Sequence, residues 1–563
     1  MLGSELLLKC LEEQGVDDVF GIPGGVLLPL YNVLRTSNIN HILTRHEQGA
    51  IHAADGYSRS SNKVGVCFAT SGPGATNLLT GLATAHMDSI PLIAITGQVG
   101  KSFLGKDSFQ EADTTGFSQP VTKHNYLVTD ARDIPSIVKE AFYIAKTGRP
   151  GPVLIDIPKD VFTQELTNIP EGKIRERVIK KLAKPEINDC QIQRVVEALK
   201  NAQNPLIFIG GGVTSDASPA LEKIATKHQI PVACTLMAKG LFPPNSPLYL
   251  GMVGMHGMPG ANYAIQNCDL LLAVGLRFDD RVTGDLNHFA KGAKVIHVDL
   301  DGAEIGKNRN VEIPVVADSS DFFNSLEKSL KKVKSTKDWL SLIEEKSCKL
   351  YNKNNDLISP QELLGKINDL VDDDTIIVTD VGQHQMWSAL FVHPTKPKSF
   401  LTSGGLGTMG YGLPAAIGAQ VANPKKKVVL ITGDGSFQMN LQELAVIKQC
   451  KLPIKIFIVN NGCLGMVRQW QELFFDKNYA QSSLEFSPDW EILASSYGIL
   501  GQKITNNEKK DKVIKECIES DFPCLLDVKV DPEANVYPIV PAGCSIDEMW
   551  GRWNDEENIS SLG

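Results

Sequence analysis

The chain has 563 residues, too many for a single hydrophobic core, and this length predicts three or four domains. Apolar residues make up 42% and charged residues 21% of the sequence, which are the proportions of a globular protein. The 56 basic and 65 acidic residues give a net charge of −9, so the electrostatic balance favours neither nucleic acid nor an anionic membrane as a partner. No apolar run approaches the roughly 20 residues that cross a bilayer, and no membrane segment is expected.

The N-terminus and the cysteines predict a cytoplasmic protein. The opening stretch MLGSELLLKCLEEQG contains acidic residues and no arginine, unlike a signal or transit peptide. The 11 cysteines are dispersed, without a C-x-x-C pair or a His/Cys spacing typical of metal sites. This distribution predicts buried thiols in a reducing compartment.

One pattern recurs three times along the chain: an apolar strand, a glycine loop, a helix, and a strand that opens at a proline. The strands are predicted at residues 64–69, 206–209 and 428–431, and the prolines are Pro91, Pro231 and Pro453. The recurrence predicts three α/β domains with doubly wound parallel sheets. The predicted domains are residues 1–165, 190–340 and 355–545, with a C-terminal tail at 546–563 and charged linkers at 169–185 and 331–338.

In the first domain, a candidate site lies where a strand ending at Arg45 meets a helix. Ala50, Ala54 and Tyr57 recur at helical spacing, so Glu47 is predicted at a strand-to-helix junction on the carboxyl edge of the sheet. An acid in this position can serve a ligand, but it can equally complement the dipole of the helix.

The central domain carries a triple-glycine loop at 210–212 and the run RFDDRVTG at 277–284. Glycines after a strand let a phosphate or a ring approach the backbone, although the signal is weak alone. Two arginines that flank two acids can also form a self-contained salt-bridge loop.

In the third domain, a strand ends before Gly-Asp-Gly at 433–435, a helix is predicted at 442–448, and a strand at 454–459 ends in Asn-Asn. A right-handed crossover places both strand ends on one edge of the sheet, so Asp434 and Asn461 are predicted side by side. A carboxylate and an amide oxygen suit Mg²⁺, and the glycines admit a phosphate. The same tripeptides are also ordinary turn formers.

The spacing of GDG and NN, with 27 residues from Asp434 to Asn461, resembles the signature of thiamine-diphosphate-dependent enzymes. The resemblance implies thiamine diphosphate and Mg²⁺ as cofactors, with the metal bound by Asp434, Asn461 and the main-chain carbonyl of Cys463. The segment HEQGA at 46–50 resembles the catalytic-glutamate segment of these enzymes. It implies that Glu47 hydrogen-bonds N1′ of the aminopyrimidine ring, where a buried carboxyl with a raised pKa could share a proton at neutral pH.

Three further segments resemble the acetohydroxyacid synthases: FQE at 109–111, RFDDRVTG, and LGMVRQW at 464–470. From the residues alone, Met466 and Trp470 share a helix face that could simply be core, and Lys159 could be an ordinary surface lysine. The resemblance instead implies a bound FAD and catalytic or substrate-pocket roles. The residues with those roles are Glu47, Gln110, Lys159, Arg277, Met466 and Trp470, with Arg277 also proposed to pair with the carboxylate of the acceptor keto acid.

The resemblance also implies two sets of cofactor contacts. Those for FAD are Gly211, Gly212, His256, Gly257, Arg277 and Asp299. Those for thiamine diphosphate and its metal, besides Glu47, are Pro23, Gly24, Gly25, Gly382, Gln383, His384, Gly407, Met409, Gly433, Asp434, Gly435, Ser436 and Asn461.

The implied reaction is decarboxylation of pyruvate and transfer of its two-carbon unit to a second 2-keto acid, pyruvate or 2-ketobutyrate, at the entry to branched-chain amino-acid biosynthesis. In this family the glutamate and the metal site come from different subunits, which implies a homodimer or a tetramer, and a small regulatory subunit is possible. Rival functions are a flavin-linked pyruvate oxidase, a glyoxylate carboligase, or a non-catalytic protein with the same fold. The QW and RFDD segments argue against the oxidase, and Glu47 argues against the carboligase.

Overall fold

The computed structural model describes residues 1–347, 357–505 and 510–551. It contains three six-stranded sheets in which neighbouring strands are parallel. Alternate residues of the central strands pack into different cores, so both faces of each sheet are covered. The predicted architecture of three doubly wound α/β units is confirmed.

The first sheet has the strand order β2-β1-β3-β4-β6-β5. Its strands are β1 Asp18–Gly21, β2 Asn40–Leu43, β3 Gly65–Ala69, β4 Leu92–Gln98, β5 His124–Leu127 and β6 Val153–Pro158. The α-helices of this part of the chain are Gly3–Glu13, Leu28–Leu34, Glu47–Ser60, Pro73–Thr76, Leu79–Met87, Thr114–Ser118, Ile134–Lys146 and Lys159–Phe162, with Glu176–Lys181 in the connection that follows.

The second sheet has the order β12-β11-β10-β7-β8-β9. Its strands are β7 Pro205–Ile209, β8 Val232–Cys234, β9 Tyr249–Met252, β10 Leu270–Val274, β11 Lys294–Asp299 and β12 Ile313–Val316. Its α-helices are Asp189–Asn201, Ser218–His228, Pro259–Asn267, Asp280–Thr283, Ser319–Ser329 and Lys337–Lys346.

The third sheet has the order β14-β13-β15-β16-β18-β17. Its strands are β13 Ile376–Thr379, β14 Phe400–Leu401, β15 Val428–Gly433, β16 Lys455–Asn460, β17 Leu500–Ile504 and β18 Cys524–Lys529. Its α-helices are Pro360–Leu370, Gln383–Phe391, Gly412–Ala422, Asp434–Phe437, Leu444–Cys450, Gly465–Phe474, Trp490–Ser496 and Lys510–Glu519.

A pair of helices joins the first sheet to the third. Helix Glu47–Ser60 packs against helix Gly412–Ala422, and both belong to a single core that also receives side chains from the two sheets. A Cβ atom at Gly418 would lie 1.8 Å from the carbonyl oxygen of Ala53, and one at Gly56 would lie 2.1 Å from that of Ala415. Glycine at both positions therefore lets the two backbones approach closely.

Two segments predicted as linkers contain helix. Glu176–Lys181 lies within the segment 169–185, and Lys337–Lys346 begins within 331–338. Trp339 of the second helix is buried in the central core and donates its indole N–H to the carbonyl of Pro205 at 3.2 Å. That helix thus spans the predicted boundary at residue 340. Of the predicted tail, residues 552–563 lie outside the described residues.

The expectation that the cysteines are free thiols is wrong for one pair, since Cys517 and Cys524 form a disulfide. They are seven residues apart and come together because the chain folds from the end of helix Lys510–Glu519 directly into β18. None of the helices in the described parts of the chain has the length and apolarity to span a bilayer.

Candidate active site

The first half of the candidate site lies where β15 and β16 end side by side. Gly433 is paired in register with Val459, and Asp434 begins a short helix directly after β15. The backbone N–H of Gly462 donates to Asp434 Oδ2 at 3.1 Å, and that of Cys463 donates to Asn461 Oδ1 at 3.2 Å. The two segments predicted to hold a metal are therefore in contact.

The Asp434 carboxyl group suits a cation. Burial raises its pKa to about 6, and backbone N–H groups and the charge of Lys529 only partly oppose this effect. Within the described residues, Asp434 has no salt bridge, and no cluster of three or more His, Cys, Asp or Glu side chains could hold a metal ion. A carboxylate, an amide oxygen and a backbone carbonyl are a donor set that fits Mg²⁺.

Gln383 orients Asn461. Its Oε1 accepts a hydrogen bond from Asn461 Nδ2 at 3.0 Å, and its Nε2 donates to Gln469 Oε1 and to the carbonyl of Ala534, both at 2.9 Å. The predicted role of Gln383 is a cofactor contact, but its amide is already engaged by protein groups. Gln469, which holds it, is a residue that the sequence did not single out.

His384 offers a free nitrogen beside the same loop. A Cβ atom at Gly433 would lie 2.8 Å from His384 Nδ1, so the imidazole packs against the backbone that precedes Asp434. Burial lowers the pKa of His384 to about 3, which keeps the ring neutral. Its Nε2 is buried and has no hydrogen-bond partner among the described residues. An unpaired buried nitrogen in this position is open to a polar group of a ligand.

The glycine-rich loop that carries Gly407 and Met409 is held by Asp380. The Asp380 carboxylate accepts the backbone N–H of Gly410 at 2.9 Å and of Gly412 at 3.0 Å. Gly407 has a φ of 69°, which favours glycine, and Met409 is half-buried within the loop. Asp380 was not predicted as a site residue, because a single acid after a strand has no distinctive pattern.

The second half of the candidate site surrounds Glu47, the first residue of helix Glu47–Ser60. Glu47 Oε2 accepts a hydrogen bond from Asn77 Nδ2 at 2.9 Å. A Cβ atom at Gly74 would lie 3.3 Å from Glu47 Oε1, so this glycine leaves space beside the carboxyl group. The hydroxyl groups of Thr70 and Ser71 are buried without partners in the described structure. A polar ring could satisfy these groups.

Two loops border the same region. A Cβ atom at Gly24 would lie 2.3 Å from the side chain of Thr70, so the turn containing Pro23, Gly24 and Gly25 packs against the end of β3. Gln110 is exposed with a φ of 60°, and its backbone lies about 3 Å from the Cβ position of Gly72.

Lys159, for which the resemblance implies a catalytic or substrate-pocket role, is exposed at the start of helix Lys159–Phe162. The structure gives it no hydrogen-bond or ion-pair partner among the described residues, so its catalytic role stays a prediction.

Of the two arginines in the RFDDRVTG run, Arg281 contacts the predicted acceptor pocket. Its guanidinium lies 5.6 Å from the ring centroid of Trp470, and its Nη1 lies 3.7 Å from Met255 Sδ. The backbone carbonyl of Arg277 instead accepts a hydrogen bond from Asn308 at 3.0 Å. Trp470 remains 37% exposed, one helical turn beyond the half-buried Met466. The geometry therefore favours Arg281 over Arg277 as the arginine beside Trp470.

The predicted flavin contacts give a mixed result. Gly212 packs tightly on the backbone, because a Cβ atom there would lie 2.8 Å from Gly275 Cα, and one at Gly211 would lie 2.9 Å from Met237 Cβ. His256 is buried, with Nδ1 3.0 Å from the carbonyl of Pro538 and Nε2 unpaired among the described residues. Burial raises the pKa of Asp299 to about 6. The free His256 nitrogen and the acid at the end of β11 fit a nucleotide, whereas the glycines are also explained by packing.

Comparison with known proteins covers all three units. Family models of thiamine pyrophosphate enzymes match residues 1–117 (N-terminal TPP binding domain), 192–326 (central domain) and 380–528 (C-terminal TPP binding domain). The chain is 47% identical to the acetolactate synthase large subunit of Porphyra purpurea, over 100% of this chain and 98% of that protein. It is 46% identical to acetolactate synthase isozyme 2 large subunit of Escherichia coli K12, over 98% and 99% of the respective chains.

The chain belongs to the acetolactate synthase large-subunit family. The relative from Corynebacterium glutamicum, also named a large subunit, is 46% identical over 97% of this chain and 89% of its own. Because these acetolactate synthase relatives align over almost the entire chain, the likeness includes the segments around both Glu47 and Asp434.

Proposed function

We propose that this chain is the catalytic subunit of an acetolactate synthase. It would decarboxylate pyruvate and transfer the two-carbon unit to a second 2-keto acid, pyruvate or 2-ketobutyrate. The observation that carries the proposal is the end-to-end likeness to acetolactate synthase large subunits. The chain also has a buried Asp434 bonded to the loop that contains Asn461, and a Glu47 beside unpaired hydroxyl groups.

Asp434, Asn461 and the carbonyl of Cys463 would hold Mg²⁺, which would anchor the diphosphate, and His384 would line the diphosphate site. Thiamine diphosphate, when bound, supplies the nucleophilic carbon that the decarboxylation of pyruvate requires. Glu47 would hold and exchange a proton at the aminopyrimidine ring, while Asn77 keeps its carboxyl group in place.

The acceptor keto acid would be selected by the pair Arg281 and Trp470. A guanidinium group can bind a carboxylate in two parallel hydrogen bonds, and the indole ring provides an apolar wall for the short side chain of the acceptor. Met466 would extend this wall, and Gln110 and Lys159 would lie toward the entrance. Arg277 keeps its predicted place as a flavin contact.

FAD is the third proposed cofactor, with a structural role near His256 and Asp299. The catalytic assembly would contain at least two copies of the chain, with Glu47 of one copy meeting the metal site of another. The relatives are named large subunits, which supports a small regulatory subunit as a further partner. We also propose that the protein is cytoplasmic, as its N-terminus and dispersed cysteines predict.

One assay tests the proposal. Purified protein is incubated with pyruvate, Mg²⁺ and thiamine diphosphate, with and without FAD, and acetolactate is measured together with peroxide. Acetolactate without peroxide is the expected result. Peroxide formation would indicate the oxidase instead, and carboligation of glyoxylate but not pyruvate would indicate the glyoxylate enzyme. If the protein neither bound the cofactors nor turned over pyruvate or glyoxylate, an enzymatic role would be contradicted.

A further inference from the structure

Glu443 is a fully buried acid that reaches from the third domain to the first. Its Oε1 and Oε2 accept the backbone N–H of Arg45 at 3.0 and 3.2 Å, across 398 residues of sequence. It also bonds the backbone of His46, the residue that caps helix Glu47–Ser60. The Glu443 carboxyl group is thus hydrogen-bonded to the turn immediately before Glu47.

The contact between Glu443 and residues 45–46 depends on the backbone of this turn and on the absence of a side chain at Gly49. A Cβ atom at Gly49 would lie 2.5 Å from Glu443 Oε1, so only glycine leaves room for the carboxyl group beside the helix. The Arg45 guanidinium points elsewhere, because it donates to the carbonyl of Leu43 at 2.7 Å and to Gln449 Oε1 at 2.9 Å. Glu443 therefore acts mainly through backbone N–H groups, not as one half of a surface ion pair.

Burial and the helix end have opposite effects on the charge of Glu443. Burial raises its pKa to about 7, and the N–H groups of Arg45 and His46 oppose the rise. The positive end of the helix dipole also favours a negative charge there. When ionised, this carboxylate accepts bonds that a neutral side chain of the same shape can only partly replace.

We propose that Glu443 is a positioning residue for Glu47: by holding the backbone of residues 45–46, it sets the direction in which the Glu47 carboxyl group enters the cofactor site. The proposal rests on the proposed role of Glu47. Glu443 would act through this backbone and not through direct contact with substrate or cofactor. It lies nine residues after Asp434, so one segment carries both the proposed metal ligand and this contact.

The test compares Glu443→Gln and Glu443→Asp with wild type and with the matched control Gln449→Ala. The control removes the bond to the Arg45 side chain and leaves the backbone contact intact. Two quantities are measured: amide hydrogen exchange of residues 45–48 in the protein without cofactors, and kcat and KM for pyruvate in the loaded enzyme.

We expect Glu443→Gln to speed exchange at residues 45–48 and to lower kcat, each by about tenfold, because one charge-assisted acceptor is lost. KM and the half-saturating thiamine diphosphate concentration should change less than about twofold, since the diphosphate site is untouched. Glu443→Asp should restore part of both effects, and Gln449→Ala should resemble wild type.

Unchanged exchange at residues 45–48 together with wild-type kcat in Glu443→Gln would overturn the positioning role. Faster exchange throughout the first sheet, with loss of thermal stability and no selective fall in kcat, would also overturn it, since that is the result of a purely structural contact. Glu47→Gln is assayed alongside: full turnover in that variant would overturn the role of Glu47 itself, which distinguishes the two failures.

Discussion

At the scale of single residues, the carboxyl group of Glu47 has the clearest chemical task. Glu47→Gln keeps the size of the side chain and an oxygen that can accept from Asn77, but it removes the exchangeable acid proton. We expect acetolactate formation to fall by about 100-fold or more, which is the usual contribution of a positioned acid–base group. Circular dichroism should show an unchanged fold, and near-normal turnover would remove Glu47 from the mechanism.

Arginine-to-lysine substitutions at Arg281 and Arg277 test which arginine binds the acceptor keto acid. Arg281→Lys keeps the charge but loses the planar fork and much of the stacking on Trp470. The expected result is a roughly tenfold fall in acetolactate formed per CO₂ released. The acceptor would be bound less well while decarboxylation continues, and the two-carbon unit would take up a proton and leave as acetaldehyde. Arg277→Lys should leave this ratio unchanged. The reverse pattern would return the acceptor role to Arg277.

The ionisation of Asp434 predicts a pH effect on metal binding. Burial raises its pKa to about 6, so the carboxyl group is mostly protonated below pH 6 and mostly ionised above it. Because Mg²⁺ needs the carboxylate, its affinity should decrease as the pH falls through about 6. The half-saturating Mg²⁺ concentration is therefore expected to be several-fold higher at pH 5.5 than at pH 7.5. Equal values at the two pH values would contradict the assignment.

At the scale of elements, sequence patterns located the strands well and the long-range contacts poorly. Strands predicted at 428–431 and 454–459 are observed at Val428–Gly433 and Lys455–Asn460, because short apolar runs beside glycine and proline identify buried strands. The helix predicted at 442–448 is observed two residues later, at Leu444–Cys450, after a short 3₁₀ turn. Local pattern is thus sufficient to define the edge of a sheet.

The residues that hold the site could not be found in the same way. Glu443 accepts a hydrogen bond from the backbone of Arg45, 398 residues away in sequence, and Asp380 accepts one from the backbone of Gly410, 30 residues further along. Neither acid belongs to a periodic pattern or a recognised motif. The role of each depends on which distant segment folds against it, and a local pattern does not show this. The arginine for the acceptor carboxylate is a similar case: the resemblance implies Arg277, but the order of the two arginines in the run does not tell that Arg281 is the one that faces Trp470.

The close packing of helices Glu47–Ser60 and Gly412–Ala422 predicts sensitivity to a single methyl group. In Gly418→Ala, the new Cβ atom would lie 1.8 Å from the carbonyl oxygen of Ala53, so the helices must separate. We expect a loss of about 1–3 kcal/mol in the free energy of unfolding, measured by urea denaturation. The control is Gly365→Ala, where no described atom outside the neighbouring residues and backbone of its own helix lies within 4 Å of the new methyl group. It should stabilise the protein by about 0.5–1 kcal/mol.

At the scale of the whole molecule, Glu47 and the glycine-rich loop lie at opposite ends of one helix. Glu47 begins helix Glu47–Ser60, whereas Asp55 and Arg59, near its other end, bond Tyr411 and the carbonyl of Thr402 beside the glycine-rich loop. At 1.5 Å per residue, the helix places Glu47 about 12 Å along its axis from Asp55 and about 18 Å from Arg59. This separation within one chain is the reason for expecting that a partner copy supplies Glu47 to each glycine-rich loop.

This arrangement predicts complementation between two inactive variants. Glu47→Gln and Asp434→Asn chains are each expected to lack activity as homodimers. In a mixed dimer, one site combines the intact Glu47 of one chain with the intact Asp434 of the other, and the second site contains both substitutions. Equal mixtures of the two variants, co-expressed or exchanged after dissociation, should recover about a quarter of wild-type turnover, because half of the dimers are mixed and each has one working site. If each site were instead completed within one chain, mixing would restore nothing, and the dimeric active site would have to be abandoned.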